Sequence, residues 1–163
     1  MTEARETRPS VTALVPTYNN AATLKAALAS LAAQRYAKEI RRDLPSAQGK
    51  PRLDLILLGM GSDGHTASLF PATPILQETK QYAATVHLPT LDSWRVSLTL
   101  PVINSARHIM CLVTGRNKSA VIGRILGRSE ETADAARYPI QHIQPTRGTL
   151  HWYLDREAAA ELP

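Results

Sequence analysis

Asp63 and His65 stand two residues apart in the run Gly59-Met60-Gly61-Ser62-Asp63-Gly64-His65, and their types suit acid–base chemistry. An imidazole titrates near neutrality, so His65 can take a proton from water at cellular pH. A carboxylate within hydrogen-bond reach would orient the ring and favour its cationic form after proton uptake. Gly59, Gly61 and Gly64 let the backbone turn tightly and come close to a ligand, with Ser62 presented beside the pair. The same residues also describe a plain tight turn, with Asp63 capping a helical turn that starts at Thr66 and His65 packed outward. From the residues alone both readings stand.

Such a loop is useful only if rigid elements hold it. Residues 53–58 form an apolar run broken only by Asp54, which predicts a parallel strand covered on both faces and ending at Gly59. Residues 66–70 predict a helical turn before Pro71. Upstream, residues 11–15 predict a short strand, and Leu24, Leu28, Leu31, Tyr36 and Ile40 recur at helical spacing from Ala21 until Pro45 stops the helix. Residues 46–51 predict a loop. Downstream, strands are expected at 83–88, 95–100 and 108–114, a helix at 115–126, a polar loop at 127–137, short strands near 141–143 and 150–154, and a helix from Asp155. This alternation is that of an α/β fold with an open, mostly parallel, Rossmann-like sheet and flanking helices, whose ligands bind beyond the carboxyl ends of the strands. Residues 1–10 are polar and expected as a disordered terminus, leaving 11–163 as one domain.

The composition bounds the function. In 163 residues, 44% are hydrophobic and 20% charged, which is ordinary globular usage. Nineteen Lys and Arg against 14 Asp and Glu give a net charge of +5, yet the cations are spread along the chain and aromatics are only 5%. No nucleic-acid motif is present, so no nucleic-acid partner is expected. No run approaches the ~20 apolar residues of a membrane span, and residues 11–15 are too short for a signal-peptide core. A lone Cys111 inside Ile109-Met110-Cys111-Leu112-Val113 reads as a buried residue of a reducing compartment, so a cytoplasmic protein is expected. His87, His142 and His151 have no metal-ligand spacing, and no metal is assigned.

The run Leu53-Asp54-Leu55-Ile56-Leu57-Leu58-Gly59-Met60-Gly61-Ser62-Asp63-Gly64-His65-Thr66-Ala67-Ser68-Leu69-Phe70-Pro71 resembles the signature of 6-phosphogluconolactonases. The resemblance continues through Trp94-Arg95-Val96-Ser97-Leu98-Thr99-Leu100-Pro101-Val102-Ile103-Asn104, Leu112-Val113-Thr114-Gly115 with Lys118, and Leu150-His151-Trp152-Tyr153-Leu154-Asp155, covering about 34–163. It implies hydrolysis of 6-phospho-D-glucono-1,5-lactone to 6-phosphogluconate in the pentose phosphate pathway. His65 would be the general base and Asp63 its support; the partner is a phosphorylated sugar lactone, and no cofactor is implied. Gly59, Gly61 and Ser62 would shape the pocket. Lys118 follows Gly115 at a helix start, where backbone amides also favour an anion, and the resemblance turns an otherwise ordinary surface lysine into a phosphate contact. Arg95 leads an apolar strand as either an edge guard or a fork for an anion, and the resemblance favours the anion. Related glucosamine-6-phosphate deaminases share the glycine, aspartate and histidine positions but usually place an acidic residue near Phe70. A phenyl ring cannot relay protons, which favours lactone hydrolysis.

The chain departs from the pattern before residue 34. The family's glycine-rich phosphate loop and Asp-Glu-Arg segment are not found, and residues 11–34 resemble instead the opening of a family-2 glycosyltransferase, without that family's acidic motifs. The expectation is a fold truncated at its N-terminal side, with an unpaired sheet edge, exposed apolar surface and hydrolysis slower than in full-length relatives. Two other readings follow: a non-catalytic sugar-phosphate-binding remnant, and a glycosyltransferase fragment, disfavoured because no Asp-x-Asp triplet occurs.

Overall fold

The computed structural model describes residues 21–47, 49–127 and 138–163. The strand expected at 11–15, the terminus at 1–10 and most of the loop at 127–137 lie outside them. Helix α1 (Ala21–Asp43) is alanine-rich, closes on Arg41 and Arg42 at its negative dipole end, and stops before Pro45. It packs on an antiparallel hairpin of β4 (Ala83–Leu88) and β5 (Ser93–Leu98). The expected loop at 46–51 is itself a miniature hairpin, β1 (Ser46–Ala47) with β2 (Lys50–Pro51), because Gly49 at φ 74° permits the reversal.

The centre is a three-stranded parallel sheet in the order β3 (Leu55–Leu58), β6 (His108–Val113), β7 (Thr149–Leu154). Helix α2 (Leu100–Ile103) leads into β6, and α3 (Ser119–Leu126) follows it. Ile56, Leu58, Ile109, Cys111 and Val113 point to one face and meet Ile103, Ile122, Ile140 and Ile143 in the core. The fold is therefore α/β, with a mostly parallel sheet and flanking helices.

Several expectations need correction. The run at 53–58 is not covered on both faces: Leu55 and Leu57 are 47% and 58% exposed, and beside them Leu112 and Tyr153 are 46% and 51% exposed. Alternation at period two sends every second side chain of β3, β6 and β7 to this open face. Among the described residues β3 pairs with β6 alone and stands at the edge of the sheet. Residues 66–70 form a tight turn, with Leu69 N–H donating to Thr66 C=O at 2.8 Å and Ala67 at φ 50°, instead of a helical turn. The strand expected near 141–143 is a 3-10 turn, Pro139–His142, since Pro139 supplies no ladder donor and starts a turn instead. After β7 the chain makes turns in place of a helix, with Asp155 accepting from Ala158 N–H at 2.7 Å.

Cys111 is fully buried, and burial pushes its thiol up to about 11. A disulfide-exchange dye at pH of about 8 is expected to leave it untouched in the native protein and to label it completely in denaturant. Fast labelling of the native chain would instead show that the β6 core opens. Among the described residues no helix is long and apolar enough to cross a membrane.

Candidate functional site

The 59–65 loop leaves the carboxyl end of β3, and the segment 114–118 leaves the carboxyl end of β6. Because β3 and β6 are parallel and in register, with Leu58 opposite Cys111, both loops emerge on the same edge of the sheet. The apolar strand residues anchor that edge; the glycines after it supply the turns.

Within the first loop the backbone closes on itself. Gly61 N–H donates to His65 C=O at 2.9 Å, and Gly64 N–H donates to Gly61 C=O at 3.0 Å. The Asp63 carboxylate accepts from His65 N–H at 3.1 Å, and the same oxygen lies 2.6 Å from His65 Nδ1. Asp63 thus holds the ring from both its backbone and its side chain, and does not cap a helix. Phe70 stacks on the imidazole, with centroids 4.2 Å apart and planes inclined by 27°. A base needs a fixed ring with one nitrogen free, and this arrangement provides it: with Nδ1 committed to Asp63, Nε2 has no hydrogen bond among the described residues.

The glycines divide by necessity. A side chain at Gly61 would run into His65 Nδ1 and come within 2.6 Å of Asp63 Oδ1, so only hydrogen leaves room for the pair. Gly64, at φ 76°, lies against Tyr138. Gly59 has open space where a Cβ would sit; its carbonyl instead accepts the buried Thr66 hydroxyl at 2.8 Å, tying the two ends of the loop together.

Ser62 is exposed on the loop. Lys118, half-buried, ends the 3-10 turn Arg116–Lys118, and its Nζ lies 3.4 Å from Asn117 Oδ1. Gly115 before it, at φ 93°, donates its N–H to both oxygens of Asp155. Arg95 is exposed on β5, its guanidinium bonded to the Ser93 hydroxyl. No hydrogen bond or ion pair joins Lys118 or Arg95 to the Asp63–His65 pair among the described residues. The pair is brought together; the two cations are not in contact with it. β5 reaches the loop region through Ser97, whose buried hydroxyl accepts from Ser68 N–H at 3.2 Å. Residue reasoning missed Phe70, Tyr138, Thr66 and Asp155 as supports. Of these, Thr66 and Phe70, one and five residues after His65, are near enough in sequence to have been suspected.

Partial burial alone would raise the Asp63 carboxyl, but the His65 backbone N–H, the ring and its charge outweigh it and leave the group below the usual carboxylate value. A depressed folded-state value stabilises the fold above the unfolded value, and that contribution is lost as pH falls through the folded one. Urea unfolding of wild type and Asp63→Asn is therefore expected to differ more at pH of about 5 than at about 2.5. An unchanged gap would remove the ionised contact as a source of stability. Among the described residues no group of three or more His, Cys, Asp or Glu side chains could hold a metal ion.

The profile of a family described as glucosamine-6-phosphate isomerases/6-phosphogluconolactonase matches residues 4–152. The chain is similar to the 6-phosphogluconolactonase of Homo sapiens, 45% identical over 132 residues that cover 80% of this chain and 49% of that protein. The Bos taurus 6-phosphogluconolactonase is 44% identical over 132 residues, with the same two shares. Among solved structures, the fold is similar to the 6-phosphogluconolactonase from Trypanosoma brucei, with a TM-score of 0.71 and 30% identity over 91% of this chain and 58% of that one. The devB protein gives a TM-score of 0.72 and 36% identity over 80% and 53%. The chain thus spans about half the length of the curated relatives it matches.

Proposed function

The chain belongs to the glucosamine-6-phosphate isomerase/6-phosphogluconolactonase family, and on that premise we propose that it hydrolyses 6-phospho-D-glucono-1,5-lactone to 6-phosphogluconate. The observation that carries this reading is the 2.6 Å contact of Asp63 with His65 Nδ1 at the exit of β3. With Nδ1–H donated to the carboxylate, Nε2 takes a proton from water as the water oxygen bonds to the lactone carbonyl carbon. The carbonyl electrons move onto oxygen. They then return to re-form the carbonyl as the bond from that carbon to the ring oxygen breaks, and the imidazolium gives its proton to the departing oxygen. Asp63 steadies the imidazolium between the two transfers.

Lys118 and Arg95 are the residues proposed to read the substrate's anionic groups. Lys118 leaves the same sheet edge as His65, which supports a phosphate there. Gly59, Gly61 and Ser62 shape the pocket. No cofactor enters the scheme. The reaction belongs to the pentose phosphate pathway, and the buried, unreactive Cys111 supports a reducing, cytoplasmic setting.

The test is opening of 6-phosphogluconolactone by the purified chain, with the spontaneous rate subtracted. Catalysed opening supports the reading, and a rate equal to the spontaneous one overturns it. A second reading, sugar-phosphate binding without turnover, draws on the absence of any contact from Lys118 or Arg95 to the pair. It expects 6-phosphogluconate to raise Tm equally in wild type and His65→Ala, with no hydrolysis in either.

A further inference from the structure

We propose that a cleft between α1 and the entry to β4 is a second anion site, one that takes a small, non-aromatic metabolite carrying two or more phosphate-type charges. The cleft measures about 460 Å³ and shares no lining residue with the Asp63–His65 loop. That volume suits a small molecule. Ser30, Gln34, Lys38 and Arg41 lie three or four positions apart along one face of α1, and Lys80 and Tyr82 form the opposite wall.

Among the described residues three cations face this space and no carboxylate lines it. The nearby acids are committed elsewhere: Glu39 to Arg35 at 3.1 Å and Asp43 to Arg42 at 2.6 Å. Glu78, in the adjoining hollow, accepts from the backbone N–H groups of Lys80 and Gln81 at 2.7 and 3.0 Å. Those bonds hold its carboxyl below the usual range and shape the turn that presents Lys80. Lys38, Arg41 and Lys80 make no ion pair at contact distance among the described residues, although the Glu78 carboxylate attracts Lys80 through space. Three like charges around one cleft repel, and a polyanion between them turns that repulsion into attraction.

The walls are built as well as charged. The Arg41 guanidinium lies 5.3 Å over the Tyr82 ring, and the Tyr82 hydroxyl donates to Gly49 C=O at 3.1 Å. Tyr82 is thereby fixed at both ends, and the stack orders the Arg41 fork for oxyanions. Arg41 already covers one face of that ring, which leaves less aromatic surface for a nucleobase. Gln34 and Gln81 add amides that can bond ester or hydroxyl oxygens.

Inorganic pyrophosphate is the probe. Calorimetry on the whole chain is expected to give saturable binding that Lys38→Gln/Arg41→Gln/Lys80→Gln weakens by about tenfold or more, and that Lys118→Gln changes by less than about twofold. In wild type, pyrophosphate is expected to protect Lys38 and Lys80 from acetylation, read by mass spectrometry, and to leave Lys25 as reactive as before. This second measurement needs no variant to fold. No saturable binding overturns the proposal, as does binding lost in Lys118→Gln but kept in the triple variant, or equal acetylation with and without the probe.

Discussion

Replacing His65 with asparagine is expected to lower kcat for lactone opening by about 10²–10⁴-fold while KM changes little. Asparagine is close in size and can still donate to Asp63, so the loop keeps its hydrogen bonds, but it has no group that accepts a proton near neutral pH. The loss therefore isolates base catalysis from loop geometry. Phe70 would lose its ring partner, a contact worth about 0.5–1.5 kcal/mol, too little to unfold the chain. The measurement is kcat and KM with spontaneous opening subtracted. Retention of the wild-type rate would mean that another group takes the proton.

The second large effect is on stability. Gly64→Ala is expected to cost about 2–4 kcal/mol and lower Tm by roughly 5–15 °C. Gly64 sits at φ 76°, where a side chain is strained, and a Cβ there would come within 2.6 Å of Tyr138 Cδ1 and 2.8 Å of its Cβ. Tyr138 has little room to yield. It is buried, its hydroxyl accepts from Arg124 Nη1 at 2.9 Å, and two residues on, Ile140 N–H donates to Gly64 C=O at 3.0 Å. The paired control is Gly59→Ala, in the same loop but with open space at the added carbon, which is expected to change Tm by only a few degrees. Equal melting of the two variants would show that the Tyr138 contact yields without cost. Because Gly64 adjoins His65, its variant is also expected to lose activity beyond what unfolding at the assay temperature explains.

Much of the fold was legible in residue order. The 23 residues of α1 carry a repeated helical spacing and a proline stop, and the runs that became β4, β6 and β7 are β-length segments bounded by turn residues. Short segments misled. Residues 66–70 and 141–143 hold too few side chains for a period to show, and their conformations are set by individual hydrogen bonds: Leu69 to Thr66 in the first, Ile143 to Ile140 in the second. Reading 53–58 as covered on both faces failed for another reason. An unbroken apolar run says that a strand avoids water, but not that two layers are present to cover it.

Residue order by itself determined the Asp63–His65 contact. Asp63 and His65 are two positions apart, so a single turn with glycine at 61 and 64 is enough to bring them to 2.6 Å, and no distant residue need choose that contact. Only tertiary structure decided what supports and surrounds it. Tyr138 comes beneath Gly64 from 74 positions away, the exits of β3 and β6 share one edge because those strands pair in parallel, and Lys80 faces Lys38 because α1 lies on the β4–β5 hairpin. The physical reason is range: local backbone geometry fixes neighbours a few bonds apart, whereas contacts across tens of residues exist only once burial of the whole core has chosen how the elements pack.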